Sequence, residues 1–255
     1  MNNNGFKNEL DFVALFNNKY LDELDDNSQL FLKDIFENYI NNDQKIRCWK
    51  NSLNQKTDIF IKFKKIVKKV SLKYGNKNTI HCESIDNFKS YLKSLDIPYN
   101  IISIYASFHY GYMRDENGCV ILSQKLNTTE YKELYQDEID CFNIALNKTK
   151  IIVDMVDRFI IRGTNSTEDI DALVCGSVDD YVWLLKYDIY DLALYKRDVY
   201  FTSPHVSCIT MGPKYRVIKD NDFRNIKDKY YVNIRWDNLK TDIEEFRKNI
   251  KNSSL

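Results

Sequence analysis

Glycine and proline are scarce in this chain of 255 residues, with 7 and 3 copies, which excludes collagen-like and proline-rich proteins. Long apolar runs are also missing: Ile101–Ala106 is interrupted by Ser103 and Tyr105. Nothing approaches the roughly 20 apolar residues that a membrane span needs. The segment Met1–Glu9 lacks the apolar stretch of a secretory signal. We therefore expect a soluble, cytoplasmic protein that does not associate with a membrane.

Charge of one sign is not in excess, because 37 basic residues balance 37 acidic ones. This balance excludes a uniformly basic nucleic-acid binder but allows a local basic patch. The six cysteines are scattered singly, without a C-x-x-C pair, which disfavours a zinc ribbon and indicates free thiols in a reducing compartment. The three histidines form no H-x-x-x-H pair, which disfavours a zinc hydrolase.

The periodicity of apolar residues predicts both helices and strands. The predicted helices cover residues 9–22, a segment capped by Asn27 or Ser28, a segment capped by Ser84, about 128–146 and about 239–250. The predicted strands cover 58–63, 66–73, 171–176, 181–186, 205–210 and 230–236. This order predicts an α/β fold with a mixed central β-sheet flanked by helices. We expect one domain over residues 1–255, with a helical insertion at about 98–160.

The two strands at 58–63 and 66–73 carry the strongest chemical pattern in the sequence. A tight turn at Lys64 and Lys65 makes them an antiparallel hairpin and places Asp58 opposite residues 71–73. Ser71 and Lys73 share one face because the side-chain period of a strand is two. Glu83 is expected to open the following helix, where a loop over 74–82 can return it to the same end of the hairpin.

A carboxylate pair with a lysine suits metal-assisted hydrolysis of a phosphodiester bond. Carboxylate oxygens hold Mg²⁺, the metal lowers the pKa of a bound water, and a lysine stabilises charge on the phosphate. The segment from Lys56 to Lys77 adds eight lysines and a single acid to a chain that is neutral overall. Such a local excess of positive charge favours a polyphosphate partner.

These residues resemble the PD-(D/E)XK nuclease superfamily, which includes many restriction endonucleases. That family carries an acid on the first strand of a hairpin, an acid-x-lysine on the second strand, and then a helix. Thr57-Asp58 stands in place of the proline-acid pair, and Ser71-Leu72-Lys73 stands in place of acid-x-lysine. Ser71 replaces the second acid, and some members move that carboxylate to the following helix, where Glu83 stands. The resemblance covers about 28–95, with 171–236 as a continuation of the sheet.

The resemblance implies a restriction-endonuclease-like core and a Mg²⁺-dependent DNA endonuclease of the restriction or defence type. Its catalytic residues would be Asp58, Lys73, Glu83 and Ser71, with Asp58 and Glu83 as the metal ligands; Glu37 or Asp22 is the candidate for a further acid from the preceding helix. Double-stranded DNA and a two-fold homodimer are the implied partners. We expect nucleic-acid contacts from Lys56, Lys77, Asn78, His81, His205, Ser207, Lys214 and Arg216.

Two other functions remain open at the level of sequence. One is a nucleic-acid-binding module on the same scaffold that does not cleave, because the second acid is missing from its usual place. The other is a protein-interaction factor without a nucleic-acid role. Asp169 and Asp171 offer a second metal site, although Asp171 also suits the simple start of a strand.

Overall fold

The structure, a computed structural model, describes residues 4–53, 55–75, 78–115, 117, 119–164, 168–219 and 225–253. Helices pack with mixed sheets in this part of the chain, so the predicted α/β class is confirmed. None of the described helices combines the length and the apolar character that crossing a membrane requires.

Groups of helices and groups of strands follow each other along the chain. The helices are α1 (Asn4–Phe16), α2 (Asp26–Ile35), α3 (Ile85–Ser94), α4 (Tyr99–Tyr110), α5 (Thr128–Leu146), α6 (Thr149–Val156), α7 (Lys186–Tyr195) and α8 (Leu239–Ser253), with a 3₁₀ turn at Leu21–Glu23 and a π-helical segment at Asp157–Arg162. The strands are β1 (Arg47–Lys50), β2 (Ile59–Phe63), β3 (Ile66–Lys73), β4 (Asn78–Ser84), β5 (Tyr112–Arg114), β6 (Val120–Lys125), β7 (Ala172–Ser177), β8 (Asp180–Leu185), β9 (His205–Val206), β10 (Ile209–Lys219) and β11 (Asn225–Trp236).

The chain divides into two compact units, whereas the sequence predicted one domain with a helical insertion. Unit 1 comprises Met1–Asn78, Met155–Leu192 and Asn238–Leu255, and unit 2 comprises Thr79–Asp154 and Ala193–Asp237. The predicted insertion at about 98–160 is helical at α4, α5 and α6, but it also contains the β5–β6 hairpin. Unit 2 has a sheet of its own, whose strands come from both of its segments.

Unit 1 is built on a five-stranded mixed sheet in the order β1-β2-β3-β7-β8. Strands β3 and β7 are parallel, and the other neighbours are antiparallel. One face of the sheet packs on α1 and α2 through an aromatic cluster in which Phe31 lies edge-on to Trp183 with ring centroids 5.3 Å apart. Phe12 makes a similar contact with Tyr181 at 5.1 Å. These rings exclude water from this face and fix the helices on it.

The start of α2 shows how local chemistry sets a helix boundary. The Asp25 carboxylate accepts hydrogen bonds from the Ser28 amide at 2.9 Å and from the Ser28 hydroxyl at 2.6 Å. Asp25 is therefore the N-cap, and the predicted cap at Asn27 or Ser28 is wrong by two or three residues. An acceptor side chain just before the first turn satisfies amides that have no partner within the helix.

The four-stranded sheet of unit 2 runs in the order β4-β11-β10-β9. The strand predicted at 205–210 is instead two short pairing segments, because a turn at Ser207 and Cys208 separates β9 from β10. Ser207 has a φ of 51°, a left-handed conformation that ends a strand. The helix α3 begins after Ser84, whose hydroxyl accepts the Asn87 amide at 3.2 Å, so the predicted cap is confirmed.

Candidate functional site

The hairpin of β2 and β3 brings Asp58 next to Ser71. Ile59 lies opposite Val70 and Phe63 lies opposite Ile66, with Lys64 in the turn at a φ of 53°. Asp58 precedes Ile59, so this register continues to Ser71, one residue beyond Val70. The predicted turn and the predicted approach of these two side chains are confirmed.

The Asp58 carboxylate is fixed by two donors from β3. Its Oδ2 accepts the Ser71 hydroxyl at 3.0 Å and the Leu72 amide at 2.6 Å. The Asp58 amide donates to the Val70 carbonyl at 2.9 Å, so both the backbone and the side chain of Asp58 are held. The Ser71 side chain is fully buried. Ser71 therefore positions the carboxylate instead of supplying a second acid.

Lys56 is a buried lysine beside this carboxylate. Its ammonium donates to the carbonyl of Phe159, in the π-helical segment, at 2.6 Å. Although part of the side chain is exposed, the ammonium is enclosed, and burial lowers the pKa of Lys56 well below its ordinary value. The Lys73 charge lowers that pKa further, while the Asp58 carboxylate raises it. Lys56 therefore lies within electrostatic range of both Asp58 and Lys73.

Gly163 makes room for the Lys56 side chain. It has a φ of +78°, and a Cβ atom at this position would lie 3.2 Å from the Cβ of Lys56. Residues with a side chain are strained at such a φ, and the added atom would press on the lysine. The turn after the π-helical segment is thus shaped around Lys56.

Lys73 is the last residue of β3 and lies opposite Cys175 of the parallel strand β7. It is half-buried and shares its face of the sheet with Ser71, as predicted. No ion pair of Lys73 occurs in the part of the chain that the structure describes. We call the cluster of Lys56, Asp58, Ser71 and Lys73 the Asp58 site.

The lysine excess of this segment is smaller than the sequence indicated. Three of its lysines pair with acids from elsewhere in the chain, at Lys64–Asp43 (2.7 Å), Lys68–Asp171 (3.7 Å) and Lys69–Glu168 (3.1 Å). Lys77 lies outside the described residues. The positive charge left for a partner is therefore concentrated at fewer positions, among them Lys73.

The prediction that Glu83 opens a helix is wrong, because Glu83 lies in β4. The segment after β3 is not a continuous loop over 74–82 but pairs as a strand with β11, a partner that local sequence cannot reveal. Glu83 belongs to unit 2 and is only 7% exposed. Burial, followed by the charge of Glu83, raises the pKa of Tyr105 well above its ordinary value. Glu83 is thus one of the buried charged residues of unit 2.

The unit 1 cluster by itself does not fit a magnesium site. Asp58 is the carboxylate of this cluster, and the cluster also holds two lysines, Lys56 and Lys73. Mg²⁺ needs several oxygen ligands and is repelled by ammonium groups. Nowhere among the described residues do three His, Cys, Asp or Glu side chains form a group that could hold a metal ion. We therefore derive no chemical step through a metal.

The alternative pair Asp169 and Asp171 is occupied by other contacts. Asp169 binds the Lys186 ammonium at 2.5 Å and Arg162 at 3.1 Å. Asp171 accepts the Lys69 amide at 2.7 Å. These carboxylates tie the start of β7 to neighbouring elements, which agrees with the structural interpretation of Asp171.

Two residues predicted to contact nucleic acid are buried in unit 2 and hold its fold together. The Ser207 hydroxyl is fully buried and donates to the Ala193 carbonyl. The His205 ring is buried with Nδ1 3.0 Å from the Ser203 carbonyl, and burial lowers the pKa of His205. For these two residues the predicted surface role is wrong, because a tight turn draws them inward.

The remaining predicted contacts are less constrained. Lys214 is exposed on β10, and its ammonium interacts with the Cys82 thiol. His81 is half-buried on β4. Asn78 begins β4 and Arg216 lies in β10, but both side chains are outside the described part of the structure. Their roles stay predictions.

Sequence reasoning named Lys56 as a nucleic-acid contact but did not predict its burial. Its burial depends on the Phe159 carbonyl, which is distant in sequence, and no local pattern signals that contact. Gly163 is the one visible clue, since an isolated glycine can mark a close approach.

In comparisons with known proteins, the chain matches no protein-family model and no curated protein.

Proposed function

We propose that unit 1 binds the phosphate backbone of nucleic acid at the Asp58 site. The observation that carries this proposal is that Lys56 and Lys73 lie in one cluster with a carboxylate that Ser71 and Leu72 fix, with Lys73 on the same face of the sheet as Ser71. Lysine ammonium groups are common phosphate ligands, and a single carboxylate cannot neutralise two of them. The Asp58 site therefore favours the binding of an anion over the binding of a cation.

The three charged residues have different tasks in this proposal. Lys73 meets a phosphate oxygen, since the described residues give it no ion pair. Burial makes the charged form of Lys56 costly, and an incoming phosphate offsets that cost. The Asp58 carboxylate, which Leu72 and Ser71 hold in place, lowers the repulsion between the two lysine charges when no phosphate is bound.

The experiment is fluorescence anisotropy with a labelled DNA oligonucleotide at several salt concentrations. Lys73→Ala is compared with Lys7→Ala, which removes the same charge from an exposed position on α1. We expect weaker binding for Lys73→Ala only, and a plot of log affinity against log salt that is shallower by about one for each phosphate that the variant no longer binds. Equal affinity and equal slope in the two variants would contradict the proposal.

A second candidate function is Mg²⁺-dependent cleavage of DNA, the activity that the family resemblance implies; it needs metal ligands in addition to the Asp58 site, which does not fit Mg²⁺ by itself. The specific observation in its favour is that Asp58 and Lys73 occupy the two hairpin strands in the predicted register. The test is incubation of plasmid DNA with the protein and Mg²⁺ or a chelator. Cleavage that needs Mg²⁺ and disappears in Asp58→Asn, but not in the exposed control Asp26→Asn, would support it.

Absence of cleavage by the intact protein, or unchanged cleavage by Asp58→Asn, would remove this second candidate and leave binding alone. The two-fold dimer that the resemblance implies also stays a prediction. Light scattering of the protein with and without duplex DNA tests it directly.

A further inference from the structure

One face of the β1–β3 ribbon in unit 1 is turned away from the aromatic core. Cys48, Ile59, Ile61 and Val70 belong to that core. Strand alternation therefore assigns the other face to Arg47, Trp49, Phe60, Lys62, Val67 and Lys69. We call the four residues Arg47, Trp49, Phe60 and Lys62 the aromatic–basic strip.

The centre of the strip is a stacked pair of rings. Trp49 lies directly opposite Phe60, with ring centroids 5.5 Å apart and planes inclined by 22°. Trp49 is 41% exposed, whereas Trp183 and Trp236 are buried. Part of this aromatic surface thus faces solvent, although burying the Trp49 ring would have stabilised the fold more.

Two positive charges border the rings. Arg47 lies directly opposite Lys62, and no ion pair of either residue occurs among the described residues. Like charges opposite each other across antiparallel strands destabilise the pairing. A negatively charged partner reverses that cost, so the strip has charge complementarity to a polyanion.

The strip continues into the Asp58 site on the same face. Asp58 lies two residues before Phe60, and Ser71 lies two residues after Lys69, which is opposite Phe60. Two residues along a strand span about 7 Å. On the same face, Leu173, Cys175 and Leu184 of the β7–β8 half are buried, whereas Arg47 and Trp49 of β1 are exposed.

We propose that the aromatic–basic strip binds the unpaired bases of single-stranded nucleic acid, with Arg47 and Lys62 on the adjoining phosphates. This inference rests on the proposed function, in which the Asp58 site holds the backbone of the same strand. Aromatic rings on a basic surface stack with bases that have left a helix. Bases within a duplex stack on each other and leave no face for Trp49. The preferred substrate is therefore single-stranded, not the double-stranded DNA that the resemblance implies.

The test compares a labelled oligothymidylate, its duplex with oligoadenylate, and heparin as a polyanion without bases. The variants are Trp49→Ala, the conservative Trp49→Phe, Lys73→Ala, and Tyr39→Ala as an exposed aromatic control outside the strip. We expect the intact protein to prefer the single strand. Trp49→Ala should weaken that binding roughly 5- to 150-fold, since stacking contributes about 1–3 kcal/mol per base. Trp49→Phe should keep most of it.

Tryptophan fluorescence gives a direct signal, because Trp49 is exposed and the other two tryptophans are buried. Oligothymidylate should quench the intact protein, and Trp49→Phe should abolish the quenching while binding persists. Circular dichroism of each variant checks that the fold is retained.

The outcomes separate this inference from the proposed function. If Lys73→Ala weakens binding but Trp49→Ala behaves like Tyr39→Ala, the proposed role of the aromatic–basic strip is contradicted and the proposed role of the Asp58 site is supported. If Trp49→Ala weakens single-strand binding but Lys73→Ala does not, the strip stands and the Asp58 site is wrong. Equal affinity for single strand, duplex and heparin overturns the inference, and absence of binding to all three overturns both.

Discussion

Replacing Asp58 by alanine should destabilise unit 1 as well as disturb its site. The change removes the acceptor of two donors, the Ser71 hydroxyl and the Leu72 amide. Ser71 is 0% exposed and Leu72 is 8% exposed, so water cannot readily replace the carboxylate. A buried donor without its partner costs about 1–3 kcal/mol. Two such donors give an expected loss of roughly 2–6 kcal/mol in the free energy of unfolding.

Two further variants show which hydrogen bond accounts for that loss of stability. Asp58→Asn keeps an acceptor oxygen for Leu72 and should lose about 1 kcal/mol. Ser71→Ala removes one donor together with its bond and should also cost about 1 kcal/mol. The double variant Asp58→Ala/Ser71→Ala should therefore be less destabilised than the two single changes added together.

The assay is urea unfolding combined with hydrogen exchange. Exchange of the Leu72 amide should accelerate in Asp58→Ala and stay slow in Asp58→Asn, because only the latter keeps the acceptor. If Asp58→Ala unfolds at the same urea concentration as the intact protein, with Leu72 still protected, the reasoning is refuted. The practical consequence is that Asp58→Asn, and not Asp58→Ala, is the variant that isolates a role in binding or cleavage.

Three further predictions concern other contacts. Gly163→Ala should lower the melting temperature, by an amount equivalent to about 1–2 kcal/mol, because of its φ of +78° and the close Lys56 side chain; an unchanged melting temperature would contradict this strain. The lowered pKa of Lys56 means that the folded state binds fewer protons than the unfolded state between that pKa and about 10.5. Stability should therefore rise with pH in this window, and Lys56→Met should flatten the slope in urea titrations at several pH values. Asn127→Ala should cost about 1 kcal/mol in thermal unfolding, because Asn127 accepts the Thr129 and Glu130 amides at the start of α5; Asn100→Ala, at an exposed position on α4, is its control.

The hairpin was predictable because its signals are local. Alternation from Ile59 to Phe63 and two polar residues at the turn fix the pairing, and the observed β3 covers the predicted residues 66–73. Once that register is known, the approach of Ser71 to Asp58 follows from geometry alone. The start of α3 after Ser84 was predictable for the same reason, since a hydroxyl before an amphipathic segment is a local cap signal.

Other features depend on partners that are far away in the chain. Glu83 lies in a strand because β4 pairs with β11, and the local sequence of residues 74–83 does not indicate that pairing. The pattern around Ser207 predicts a continuing strand, but the left-handed backbone of this residue turns the chain back on itself. The burial of Lys56 needs the carbonyl of Phe159, and a backbone acceptor leaves no mark on residue identity.

The parallel pairing of β3 with β7 has a consequence for synthesis. Residues 74–171 are synthesised between these two strands, so a β2–β3 hairpin that forms early has β3 as an unpaired sheet edge until β7 is made. Lysines discourage such an edge from recruiting a strand of another molecule. Lys68 and Lys69 stand on this edge, and in the finished fold they pair with Asp171 and Glu168, immediately before β7. The same two lysines thus discourage incorrect pairing at this edge before β7 is made, and they form ion pairs with Asp171 and Glu168 once β7 is in place.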